Sequence, residues 1–108
     1  MRIPLVALSL SLAACAPDRA DAIQRAAEAY CDRSVACGWS EESERPDCED
    51  GAEEFFDLAW PSGECADGGI DRAGWAACMD TLDTLNCSDW TQGLTSLGAC
   101  DAQTVCRG

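Results

Sequence analysis

The sequence predicts an all-α domain, a small disulfide-stapled bundle of three main helices with a short cysteine-tied tail. Three observations predict it. Apolar residues recur at helical spacing in three separate stretches, no stretch alternates apolar and polar residues at the period of a strand, and nine cysteines are spread through a chain of 108 residues. A chain of this length makes one domain, and a core that small is expected to need covalent staples.

The first helix is expected over residues 19–36. Ile23, Ala26, Ala27, Tyr30, Cys31 and Val35 fall on one helical face. Asp18 suits the N-cap, Asp21 the positive first turn, and Gly38 the stop. Ser40 to Pro46 reads as a polar, mostly acidic loop. The second helix is expected over residues 48–60, with Asp47 as its cap, and with Cys48, Ala52, Phe55, Phe56 and Ala59 sharing a face. Pro61 disfavours helix at Trp60 and ends the element.

Pro61 to Gly69 is rich in turn residues. The third helix is expected over residues 71–86, where Trp75, Cys78, Leu82 and Leu85 form the apolar stripe and Met79 widens it. Beyond Ser88 the pattern weakens. Trp90, Leu94 and Leu97 suggest a turn or two of helix, and Cys100 to Gly108 a cysteine-tied, part-helical tail. Of the four tryptophans, Trp75 lies on a core stripe, while Trp39 and Trp60 at helix ends are either core residues or exposed anchors for a partner.

The amino terminus sets one cysteine apart. Met1 and Arg2 precede an apolar run from Ile3 to Leu12, and the small residues Ala13 and Ala14 follow, which is the order of a secretory signal. The run is too short to span a bilayer, which takes about 20 residues. It ends in Leu12-Ala13-Ala14-Cys15. This pattern resembles the lipobox of bacterial lipoproteins. The resemblance implies cleavage before Cys15, diacylglycerol on its sulfur, and usually a third acyl chain on its new amino group. Residues 1–14 are then a cleaved signal, residues 15–20 a lipidated tether, and residues 21–108 an acidic cysteine-rich helical domain. Ala16 stands where an aspartate would favour inner-membrane retention in enterobacterial lipoproteins, so the resemblance points to the outer membrane, at its periplasmic face or the cell surface.

Setting Cys15 aside leaves an even set: Cys31, Cys37, Cys48, Cys65, Cys78, Cys87, Cys100 and Cys106. These eight are expected to form disulfides, since such density belongs to an oxidising compartment. Eight cysteines allow roughly a hundred pairings. A helical hairpin would bring Cys37 to Cys48; Cys31 with Cys78, and Cys87 with the tail, are further candidates. Zinc or an iron–sulfur cluster is not expected, because no histidine and no closely spaced cysteine pair is present. The chain is also similar to small cysteine-rich lipoproteins of myxobacteria and their relatives. The similarity rests on Tyr30-Cys31 with Cys37, on Cys48, and on Ala77-Cys78-Met79-Asp80 with Leu85-Asn86-Cys87. It implies a fold style and a location rather than an activity.

Composition narrows the function. Seven arginines face 20 carboxylates, with no lysine or histidine, for a net charge of −13. A surface of that sign repels nucleic acid and anionic lipid. Without histidine and lysine, the usual general base and Schiff-base chemistry are missing. The carboxylate pairs Glu53/Glu54 and Asp80/Asp83 read as solvated helix faces. No catalytic residue, metal, cofactor or small-molecule substrate is therefore expected. The expected role is that of an envelope-anchored, non-enzymatic domain, structural or binding a protein partner, held to the membrane by the lipid on Cys15. Two alternatives are a disulfide-rigid inhibitor of a protease or toxin, presenting Ser40–Pro46 or Pro61–Gly69, and a weak cation-binding module using Asp67 and Asp71, or Glu41, Glu42 and Glu44.

Overall fold

The computed structural model describes residues 16–66, 68–88 and 97–106. Residues 1–15, including Cys15, and the stretch containing Trp90 and Leu94 lie outside the described residues.

Helix α1 spans Arg19–Ala36, as the apolar spacing predicts. The Asp18 carboxylate accepts from the Asp21 amide at 2.9 Å and caps its start. Arg19 and Ala20, counted with the tether by sequence, are already helical. At the other end Gly38 takes a positive φ of 76°, its amide donates to the Val35 carbonyl, and the Trp39 amide donates to the Ser34 carbonyl. This paired pattern closes the helix, and glycine adopts the left-handed residue it requires without steric cost. The buried arc of α1 is made mainly of alanines, Ala22, Ala26, Ala27 and Ala29, with Ile23 and Cys31. Small side chains let two neighbours approach it, and α1 packs against both α2 and α3.

Helix α2 spans Arg45–Ala59 and begins three residues earlier than the sequence suggests. A short 3-10 turn, Glu42–Glu44, leads into it. Pro46 sits in the first turn, where its missing N–H would have found no helical partner. The expected loop from Ser40 to Pro46 is thus largely folded, and Asp47 is an interior first-turn residue rather than the cap. The helix ends at Ala59, one residue before Trp60, whose amide closes the last turn on the Phe56 carbonyl.

Helix α3 spans Arg72–Asp83. Its cap is Asp71, whose carboxylate accepts from the Gly74 amide at 2.8 Å. It stops three residues short of the expected end. Leu85 is still buried, but in non-helical chain held by Arg33, whose guanidinium donates to the Leu85 carbonyl at 2.6 and 2.8 Å. Periodicity located that core residue and overran the helix. In the tail, a 3-10 turn Leu97–Cys100 is followed by the short helix α4, Ala102–Val105, capped by Asp101. Ile70 and Cys106 form an isolated antiparallel bridge, and the described residues contain no strand.

Four disulfides fasten these elements: Cys31–Cys48, Cys37–Cys87, Cys65–Cys106 and Cys78–Cys100, with Cα separations of 4.6 to 6.0 Å. The pairing corrects three expectations. Cys37 joins Cys87, not Cys48, because the turn at Gly38 leaves it beside the end of α3. Cys48 instead meets Cys31, inside α1. Cys78 goes to Cys100, so neither Cys31–Cys78 nor a bond from Cys87 to the tail forms. Two bonds tie α1 to its neighbours and two tie the tail to the body.

The core centres on Trp60, which is fully buried at the end of α2. Its ring packs against Phe56 at 4.9 Å and edge-on against Trp75 at 5.9 Å. Its indole N–H donates to the Cys100 carbonyl at 2.5 Å, and its own carbonyl accepts from Arg19 at 2.8 Å. Trp60 is therefore a core residue. Trp39 is half-buried against the core and donates to the Cys87 carbonyl at 3.1 Å. Neither is a free anchor.

Two glycines in helices carry opposite expectations. A Cβ on Gly74 would overlap the backbone carbonyl of Thr104, where α4 sits against α3. A Cβ on Gly51, in α2, meets nothing. Gly74→Ala is expected to cost about 1–3 kcal/mol by overpacking, whereas Gly51→Ala is expected to stabilise by about 0.5–1 kcal/mol. Chemical denaturation of both variants checks the sign; equal effects would contradict this packing of α4 on α3.

Candidate functional site

Between α1 and α2 the described surface carries a half-open groove of about 380 Å³. Tyr30 and Ser34 of α1 line one side. Asp47, Gly51, Phe55 and Phe56 of α2 line the other, above the buried Ala52 and the Cys31–Cys48 bond. The lining is mostly apolar. Beside it, α2 exposes two large apolar side chains, Phe55 at 50% and Leu58 at 77%.

Sequence periodicity put Phe55 with Phe56 on the core face. Adjacent helical residues point about 100° apart, and the core takes only Phe56. Phe55 stands outside it with its ring edge-on to Phe56 at 5.1 Å. Among the described residues, the exposed large apolar side chains are thus Phe55 and Leu58, not Trp39 or Trp60.

The charge around the groove is negative. Helix α2 carries Asp47, Glu49, Asp50, Glu53, Glu54 and Asp57 against one cation, Arg45. Arg45 is fully engaged: it donates to Glu42 at 2.8 and 3.0 Å, contacts Asp32, and lies 3.7 Å from Glu49. The hydrogen bond from Arg45 lowers the Glu42 pKa from its ordinary value, and the bonds to Glu42 and Asp32 raise that of Arg45. Asp57 pairs with Arg19 at 2.8 Å. Among the described residues, Asp47, Asp50, Glu53 and Glu54 take part in no ion pair.

The other candidate residues are placed plainly. Glu41 and Glu44 form a reciprocal capping box, with the Glu41 amide donating to Glu44 at 2.7 Å. Asp71 caps α3. These carboxylates are used by the backbone, and Asp67 lies outside the described residues. No group of three or more cysteine, aspartate or glutamate side chains among the described residues is arranged to hold a metal ion. Neither Glu53/Glu54 nor Asp80/Asp83 lines the groove. The Pro61–Gly69 segment is pinned through Cys65, whose amide donates to the Pro61 carbonyl at 2.9 Å.

Residues 28–108 match the model of a family of unknown function, DUF6184. No curated protein and no solved structure matches the chain. The matched stretch takes in all eight bridged cysteines, the whole of α2 and α3, and the groove. It covers three quarters of the sequence, and the chain belongs to the DUF6184 family.

Proposed function

We propose that this protein is a lipid-anchored, non-enzymatic envelope domain that works by binding another protein. One combined observation carries the anchor. Leu12-Ala13-Ala14-Cys15 follows a signal-like apolar run, and the other eight cysteines pair among themselves, so the one cysteine in the lipobox position is the one left over. Two or three acyl chains hold stably where one does not, each buried methylene adding about 0.8 kcal/mol.

The tether is short. Helix α1 starts at Arg19, so only Ala16, Pro17 and Asp18 lie between it and Cys15, a span of no more than about 14 Å of extended chain. The domain therefore rests at the membrane surface, and its negative charge keeps it from lying down on anionic lipid. The protein-binding role is supported by the groove and by Phe55 and Leu58 beside it, the large apolar side chains that are exposed among the described residues.

Metabolic labelling with an alkyne-tagged fatty acid tests the anchor. The wild-type protein is expected to take the label and fractionate with membranes, and Cys15→Ser to lose both. Label persisting in Cys15→Ser, or absent from the wild type, would overturn the reading.

A further inference from the structure

We infer that the groove between α1 and α2 receives a cationic amphipathic segment of a partner protein, an apolar side chain entering beside Gly51 and Phe55 and basic residues meeting the carboxylates of α2. The inference rests on the protein-binding reading above and is independent of the lipid anchor.

Three observations carry it. The first is shape. A half-open groove of about 380 Å³ lies at the low end of the range for ligand sites, and takes an apolar side chain or two rather than a whole enclosed molecule.

The second is Gly51. A glycine inside a helix costs about 0.5–1 kcal/mol relative to alanine. At Gly74 a close backbone neighbour explains that cost. At Gly51 nothing among the described residues does, since a side chain there would meet none of them within 4 Å. Gly51 lies on the groove, and its missing side chain lets another chain approach the helix closely.

The third is charge. Asp47, Gly51, Glu54, Phe55 and Leu58 recur at i, i+4, i+7, i+8 and i+11, so they share one face of α2 along about 16 Å. Asp47 and Glu54 bracket Gly51 on that strip, with Asp50 beside them, and none of the three is paired within the described residues. Such a strip of apolar anchors flanked by unpaired carboxylates is complementary to an amphipathic helix whose polar face is basic. A second copy of this chain would bring like charge onto like, at −13 per copy. Anionic lipid would be repelled in the same way.

The experiment titrates purified, oxidised protein into a labelled amphipathic peptide of about 18 residues, built from leucine and arginine, and reads fluorescence anisotropy. A peptide with the same apolar face and glutamate for arginine is the control. Binding is expected for the basic peptide only, weakening with salt, with amide shifts at Tyr30, Gly51 and Phe55. Gly51→Leu fills the approach without altering any charge, and is expected to weaken binding at least tenfold while the melting temperature holds or rises. Phe55→Ser with Leu58→Ser is expected to do the same. Wild-type affinity in Gly51→Leu would overturn the inference, because binding would then be non-specific attraction to an acidic surface. Equal binding of the glutamate peptide would also overturn it, as would self-association that shields Phe55 in the absence of peptide. An intact mass on the same sample reads the lipid separately, so failure here and failure of the anchor are distinguishable.

Discussion

Full reduction is expected to unfold this protein at 25 °C and neutral pH. The four bonds close loops with sequence separations of 17, 22, 41 and 50. Treated one at a time as constraints on the unfolded chain, loops of that length are worth about 3–4 kcal/mol each. The loops overlap, so the values do not simply add, yet two of them already rival the roughly 5–15 kcal/mol of an ordinary small domain. The packing that remains after reduction is thin, since α1 contributes mainly alanines and the tail helix α4 is one turn long. The acidic surface adds repulsion that the bonds now oppose. Far-UV circular dichroism before and after reduction under native conditions measures the effect; retained helicity with an unchanged melting curve would contradict this account of stability.

The second large effect is expected at Trp60. Replacing it with alanine removes the largest fully buried side chain among the described residues and its ring contacts to Phe56 and Trp75. It also strips the Cys100 carbonyl of its indole donor. Loss of a buried aromatic of this size costs about 3–5 kcal/mol, and an acceptor left without a partner adds to it. In a domain this small that is a fall in Tm on the order of 15–30 °C. Thermal melting of the oxidised variant reads it. By contrast Leu58→Ser, at an exposed position, is expected to move stability by less than about 0.5 kcal/mol. If Trp60→Ala melts close to wild type, the core is not where we place it.

The contrast between Trp60 and Leu58 shows what the sequence discloses and what it withholds. Helix α1 is legible from end to end because its cap, its stripe and its stop glycine agree with one another. Helix α2 has conflicting local signals: Pro46 reads as a breaker until it is known to sit in a first turn, where it costs nothing. Phe55 and Phe56 are the same residue type in adjacent positions, and a broad apolar stripe does not say which of two neighbours the core will take. That choice depends on how α1 and α2 pack, which is a tertiary fact, and it leaves Phe55 on the groove. Trp60 is undecided in the sequence. A tryptophan at a helix end reads either as core or as a free ring, and it is core because the chain folds back so that Trp75 and the Cys100 carbonyl enclose it.

The disulfides show the same limit. Their number follows from counting, and their partners do not. Cys37 and Cys48 are close in sequence, yet the turn after α1 leaves Cys37 facing the end of α3, and Cys48, near the start of α2, lies opposite Cys31, well inside α1. By propensity alone, Gly51 is only a weakness in a helix. Its meaning appears when Gly74, equally unfavourable by propensity, is seen to be filled by the chain itself and Gly51 is not.

Of the nine cysteines, eight staple the domain and we propose that Cys15 anchors it. The intact mass of the native protein, purified without reduction, tests this division most directly. The expected chain begins at Cys15, carries two or three acyl chains on that residue, and is lighter by eight hydrogens than its free-thiol form. A mass that retains residues 1–14, or free thiols among the other eight cysteines, would contradict it.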